Sequence, residues 1–332
     1  MDEFNTGDSI SLAPRGGPQG IAAKLRTNEF FKYCWGRYLI LLKRRAGRPK
    51  PWTADPILQE WRFTNVFRND DTTTIQLRQI YDQHRPAPPE QHLLNCALYR
   101  WFGSGEFARA VGWQTHFNAE HIRQTVENRQ LLDLPVYTSA YVVSALHDPR
   151  PKHLSAIETM GRLWQERSNL IAATESGRWE PFIRELEKIK GLAGSGFMAK
   201  EVALDTLLTP IWPAAPLDLN TFVPVGKGAR RGCARILGRD DVTDVPTLDV
   251  CLDVCRQLYA QRAEFWPKKW PDLTLPDIQW NLCEFDKYER VRLGGRAKQR
   301  YAGRAAGFGL LTRHTASVQT PATPVRCNCT RA

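Results

Sequence analysis

Nowhere does this chain reach the ~18 consecutive apolar residues that a membrane-spanning helix needs. Its best candidate, Tyr38 to Leu42, stops far short, so no membrane partner is expected. Residues 1–20 lack the basic-then-apolar order of a secretion signal; they are polar, rich in Gly and Pro, and read as a flexible leader. The seven His show no ligand spacing. The eight Cys (Cys34, Cys96, Cys233, Cys251, Cys255, Cys283, Cys327 and Cys329) are scattered. Cys251 and Cys255 share a helical face, but no second pair with metal spacing joins them. A chain of this length needs no disulfide staples, which predicts a reduced cytosolic protein without a structural metal. Acid is also scarce: 35 Asp and Glu face 46 Lys and Arg, a net charge of +11.

What is present is a core and an uneven charge. Hydrophobic residues make up 42% of the chain and include 11 Trp, which is no disordered composition. Lys24 to Lys50 carries nine basic residues against Glu29, and Lys287 to Arg304 carries seven against Glu289. The rest is slightly acidic. Two basic segments on a near-neutral body suit a polyanion, since each neutralised phosphate releases counterions; they also suit two solvated arms.

Periodicity is mainly helical. Phe30, Phe31, Cys34, Tyr38, Leu41 and Leu42 repeat at three and four, predicting a helix over Thr27–Arg45 capped by Thr27 or Asn28. Pro56 after Asp55 predicts a helix running to Arg68. Further helices are expected over Thr72–Asp82, Gln91–Phe102, Glu106–Val111, Asn118–Leu131, Leu154–Ser176, Trp179–Ile189 and Thr247–Phe265. Pro135 to Ser144 is the best strand-like run, and 307–332 reads as a tail.

The sharpest motif runs from Ile189 to Ala203. A helix ends, a turn carries Gly191, Gly194, Ser195 and Gly196, and a second helix starts near Phe197 with Lys200 one turn in. Free N–H groups at such a helix start can hold a phosphate; an ordinary tight helix connection uses the same glycines. The second helix runs through Leu208, then come Pro210, Pro213 and Pro216, and then Asp218, 24 residues after Gly194. With Asp55-Pro-Ile-Leu58 upstream, this ordered set resembles the helix-hairpin-helix DNA glycosylase superfamily over residues 50 to 260. The resemblance implies a mainly α, glycosylase-like domain over 21–306 with basic N- and C-terminal extensions. Its hairpin would span about 181–208, and the turn would admit a monovalent cation; no other cofactor is expected.

A narrower likeness lies in Pro51 to Leu58, Arg62-Phe-Thr-Asn-Val-Phe-Arg68, Asp71, Gly226-Lys-Gly-Ala-Arg-Arg-Gly232 and Cys283-Glu-Phe-Asp-Lys-Tyr288. These resemble the family first named for α-glutamyl/putrescinyl thymine pyrophosphorylase activity and described as amino acid:DNA transferases, largely of phages. That resemblance implies double-stranded DNA carrying a phosphorylated 5-hydroxymethyl-uracil. A free amino acid, glycine first, would displace the phosphate after a DNA base kinase has acted, in the host cytoplasm, and the product would resist restriction.

Such chemistry needs a flipped base, a stacking platform and cations for the leaving phosphate. Trp52, Trp61 and Phe63 are the stacking candidates, and Asn65 is the candidate for the uracil edge. Arg62, Arg68, Lys227, Arg230 and Arg231 would hold phosphate or carboxylate, with Asp71 in the same pocket. Asp218 is the first candidate for general base, Glu284 the second; Lys287 would stabilise the departing phosphate and Cys283 would add to the ring. Asp218 equally suits a helix cap for residues 219 onward, and Glu284, Asp286 and Lys287 equally suit a surface ion-pair cluster. Gly226-Lys-Gly228 lacks the spacing and Lys-Ser/Thr ending of a Walker loop, so nucleotide hydrolysis is not expected. A glycosylase excising a modified base is the alternative, and a DNA-binding module without catalysis the third reading.

Overall fold

The computed structural model describes residues 26–138, 150–192 and 197–297, and every regular element among them is helical. The leader 1–20, the tail 307–332, the turn residues Gly194, Ser195 and Gly196, and all but the first four residues of the strand-like run lie outside the described residues.

One group of helices surrounds α4 (Pro89–Phe102). Two prolines start it, and Gly103, with φ 63°, ends it in the left-handed conformation that a residue without Cβ adopts most cheaply. From His92 to Phe102 every residue is buried, so α4 is a core helix rather than an amphipathic one. It is packed by α5 (Gly105–Val111), α7 (Lys152–Gln165), α8 (Arg167–Ala172) and α10 (Phe197–Thr206). Around these lie α3 (Thr72–Gln83), α6 (Ala119–Leu131) and α9 (Trp179–Lys188).

The other group is built on α13 (Leu275–Arg292), against which α1 (Thr27–Arg45), α2 (Pro56–Glu60), α11 (Lys227–Ile236) and α12 (Leu248–Phe265) pack. A reciprocal Thr274–Asp277 capping box and Pro276 set the start of α13. Gly228 and Gly232, one turn apart on α11, let its backbone meet α13: a Cβ on Gly232 would collide with the Leu282 carbonyl, and one on Gly228 with the Cys283 sulfur. Beside that contact the fully buried Asp286 takes Arg231 (2.9 Å), Arg235 (3.4 Å) and Arg290 (2.8 Å).

Three expectations need correction. No side chain caps α1: Arg26 stands at the N-cap, with its N–H bonded to the Ile236 carbonyl, 2.9 Å. The helix expected over Asp55–Arg68 ends at Glu60, and Trp61 to Phe67 run extended because partners on other helices take their backbone groups. The helix over Leu154–Ser176 is two, broken at Glu166. Sequence periodicity also left α11 and α13 unassigned. Gly232→Ala is expected to lower the unfolding free energy by about 1–3 kcal/mol, since two helix backbones must part to admit the methyl. A urea midpoint unchanged from the parent would contradict the close α11–α13 approach.

Candidate functional site

The extended run Trp61–Phe67 was expected to line a pocket; its polar groups are instead engaged in holding the chain. Arg37 of α1 donates to the Phe63 carbonyl (3.1 Å) and to the Thr64 carbonyl (2.9 and 3.1 Å). Glu284 accepts from Thr64 N (3.0 Å), and Lys287 bonds the Arg62 carbonyl while its ammonium lies 4.7 Å from the Phe63 ring centre. Trp280 donates to the Asn65 carbonyl (3.1 Å) and Asn281 to that of Val66 (2.9 Å). The Asn65 side chain donates to Asp71 (2.9 Å) and to the Asp70 carbonyl (3.0 Å). Asn65 and Asp71 thus bond each other, and Glu284 and Lys287, expected as base and phosphate ligand, bond the backbone of this run. Of this set only the Arg62 side chain is exposed.

Arg68 lies inside. It pairs with the Glu201 carboxylate and with Asp205 (3.0 Å), and Arg100 of α4 grips both Asp205 oxygens at 2.6 and 2.8 Å. Lys200 is 3% exposed and bonds Gln279 (2.8 Å) and Glu201 (3.0 Å), so the ammonium expected at a DNA phosphate is buried. The network joins α10 to α4, to α13 and to the 3-10 turn Arg68–Asp70. Removing one partner from such a buried pair costs about 3–5 kcal/mol.

Asp218 caps a helix, but not the one after it. Its two oxygens accept from Trp179 N (2.8 Å) and Glu180 N (3.1 Å), the unsatisfied donors at the start of α9. Asp218 is 2% exposed, and each of its oxygens already accepts a backbone N–H. Gly191 follows the other end of α9, roughly 15 Å away by helix rise; Gly194, with which this carboxylate was expected to pair, lies outside the described residues. Gly191 itself, φ 109°, is required where a Cβ would strike Thr159. Burial pushes the Cys283 thiol up to about 11, so a ring-adding thiolate is scarce near neutral pH.

Several surface cations gather at the end of α1. Trp52 donates to the Arg48 carbonyl (2.7 Å) and receives Lys43 at its own carbonyl (2.9 Å). Arg44 and Lys50 stand 5.5 and 5.1 Å from its ring centre. Trp52 therefore gathers cations rather than offering a bare stacking face. Lys227 is exposed at the start of α11, whereas Arg230 is bonded to the Pro246 carbonyl (2.9 and 3.1 Å) and Arg231 to Asp286. Sequence reading missed the turn Pro267–Trp270, whose exposed Lys268 and Lys269 are brought to α1 by Trp270, 4.7 Å from the Tyr38 ring and 5.5 Å from that of Trp35. A basic pair bracketed by tryptophan and proline was the available signal. Near α1 also opens a cavity of about 550 Å³ that Asp55 and Tyr288 line.

Buried carboxyls near this core titrate in opposite directions. Burial pushes Asp71 and Asp277 up to about 6. Burial alone would raise Glu201 too, but Arg68, Lys200 and Arg100 hold it at about 2. A raised carboxyl favours the protonated fold, so that contribution is full below its unfolded value and is lost as pH climbs through about 6. The depressed Glu201 contributes above its unfolded value and loses this as pH falls through about 2. These groups together should give greatest stability at about pH 3.5–4, with Asp71→Asn flattening the decline from pH 4 to 7 in urea titrations. A decline as steep in Asp71→Asn as in the parent would contradict the burial assigned to it.

A family model described as "5-hmdU DNA kinase, helical domain" matches residues 25–297. A protein named 5-hmdU DNA kinase, from Bacillus phage SP10, is 25% identical over 300 residues, covering 79% of this chain and 46% of that one. The chain thus spans about half the length of the curated relative it matches. No solved structure matches it.

Proposed function

The chain belongs to the 5-hmdU DNA kinase helical-domain family, and from that membership we propose that it holds DNA for phosphorylation of 5-hydroxymethyl-uracil in phage thymidine hypermodification. The family match is the observation that carries this reading. It overturns amino acid transfer onto an already phosphorylated base, and with it the free amino acid partner and a place after the kinase step. It equally replaces base excision. The general level of the resemblance stands: an enzyme family of phage DNA modification.

Within such a kinase this chain is the DNA-holding part. Phosphoryl transfer from a nucleoside triphosphate needs a phosphate cradle and metal-holding groups. These 332 residues contain no Walker-type sequence, and the proposal for this chain concerns the DNA, not the phosphate donor. The end of α1 offers what a DNA backbone requires: Arg48 and Lys50 exposed, Arg44 and Lys50 gathered over Trp52, and Lys268 and Lys269 supported by Trp270 against the same helix. The helices α9 and α10 fit a helix-hairpin-helix contact with a second stretch of the strand, as part of the same proposal. No described helix is long and apolar enough to cross a membrane, and the proposed place of action is the host cytoplasm.

Fluorescence anisotropy with two duplexes, identical except for one 5-hydroxymethyl-uracil in place of thymine, tests the reading. The modified duplex should bind about tenfold tighter, and both affinities should fall steeply with salt. Trp52→Ala should weaken both by about two- to fivefold. Equal affinity for the two duplexes would contradict the proposed substrate.

A further inference from the structure

The 550 Å³ cavity beside α1 is large enough for a nucleotide. Lys32 and Tyr33 of α1 line it, with Asp55 at the start of α2 and Tyr288 of α13; Arg26 and Arg292 stand among the remaining lining residues. The Tyr288 hydroxyl donates to Asp55 Oδ2 (2.7 Å), and the rings of Tyr33 and Tyr288 lie 5.2 Å apart. Asp55 Oδ1 is committed to the start of α2, through Ile57 N (2.8 Å) and Leu58 N (3.1 Å).

The charges around this space select its occupant. Arg26, Lys32 and Arg292 oppose Glu29, Asp55 and Glu289, so the lining is neutral. Glu289 already takes Arg292 (2.8 Å) and Arg26 (3.2 Å). Lys32 is exposed and has no ion-pair partner among the described residues. A triphosphate would meet two unmatched carboxylates, Glu29 and Asp55, and no glycine-rich row of N–H groups. A flat, neutral ring with alternating donors and acceptors meets an ammonium, a carboxylate oxygen, a phenol and two aromatic rings.

Location points to a base from DNA. Asp55 follows Trp52 by three residues, at most about 10 Å of chain, and Tyr33 of the lining lies about 15 Å of helix rise from Lys43, so a strand lying on the basic end of α1 reaches the opening with its next few nucleotides. We propose that this cavity receives the extruded 5-hydroxymethyl-pyrimidine base, with Asp55, Tyr288 and Lys32 recognising its polar edge. The proposal rests on the DNA-holding role above. Asp55 Oδ2 accepts from the ring N–H or the hydroxymethyl group, Lys32 donates to a ring carbonyl, and Tyr288 supplies a ring edge and a hydroxyl.

The test compares affinity ratios, modified duplex over thymine duplex, in the parent and in Lys32→Ala and Asp55→Asn. Asparagine caps helices as well as aspartate does, so α2 should keep its start while losing the charge. Each variant should reduce the ratio about five- to tenfold, whereas Lys50→Ala should lower both affinities and keep the ratio. Lys32, exposed and unpaired, carries the test should Asp55→Asn fail to fold. Ratios equal to the parent's in the folded variants would overturn the cavity assignment and leave the DNA-holding role standing. A parent that shows no preference would overturn both. Photo-crosslinking of the parent to a duplex bearing 5-iodo-deoxyuridine at the target position should label the peptides of Tyr33 or Tyr288. Labelling confined to other peptides would overturn the assignment.

Discussion

The backbone of Arg62–Val66 lies outside any helix, and the rest of the domain is arranged to satisfy it. Arg37 approaches from α1, and Glu284, Lys287, Trp280 and Asn281 approach from α13. A buried peptide group without a partner costs as much as a lost hydrogen bond, so each of these side chains is held to its place. The partners lie some 27 residues upstream on one side and 215 or more downstream on the other. This run therefore closes the α13 group around a segment from early in the chain.

At its far end the same run delivers Arg68 to α10. Asp205 then joins two arginines, Arg68 and Arg100, and a tyrosine hydroxyl, that of Tyr81 (3.3 Å). This ties the α4 group to the α13 group through charges that are worth little unless all are present. At its near end the run continues from α2, whose start Asp55 caps while Tyr288 holds that carboxylate. The basic loop after α1 is thus held through Trp52, and the cavity's Asp55 through Tyr288, so both proposed contacts with DNA sit on braced elements.

Much of the fold was legible because most helices bury apolar residues at regular spacing. α1 matches its expected bounds, and Thr247 caps α12 as its position before the apolar run implies. α13 escaped notice because its buried face mixes Leu282 and Phe285 with Asn281, Asp286 and Glu289. Phe63, Thr64 and Val66 are strand-like residues held by side chains of α1 and α13, and a continuation of α2 was the wrong extrapolation. The site was less legible. Asp218 was rightly weighed as a cap, but the helix it caps starts 39 residues upstream, which only folding reveals. Arg68, Asn65 and Asp71, expected at a base pocket, are engaged with Glu201, Asp205 and one another, which their spacing alone does not show. Lys268 and Lys269 lie outside both basic stretches and reach α1 only through Trp270.

Amide hydrogen exchange at Thr64 probes that brace most directly, in the parent and in Glu284→Gln. If the extended run is locked between α1 and α13, the Thr64 N–H should exchange only through global unfolding in the parent. It should then exchange at least tenfold faster when the charge of its acceptor is removed. Exchange at the rate of an open loop in the parent, untouched by Glu284→Gln, would show that the run is not held and would remove the basis on which the site is positioned.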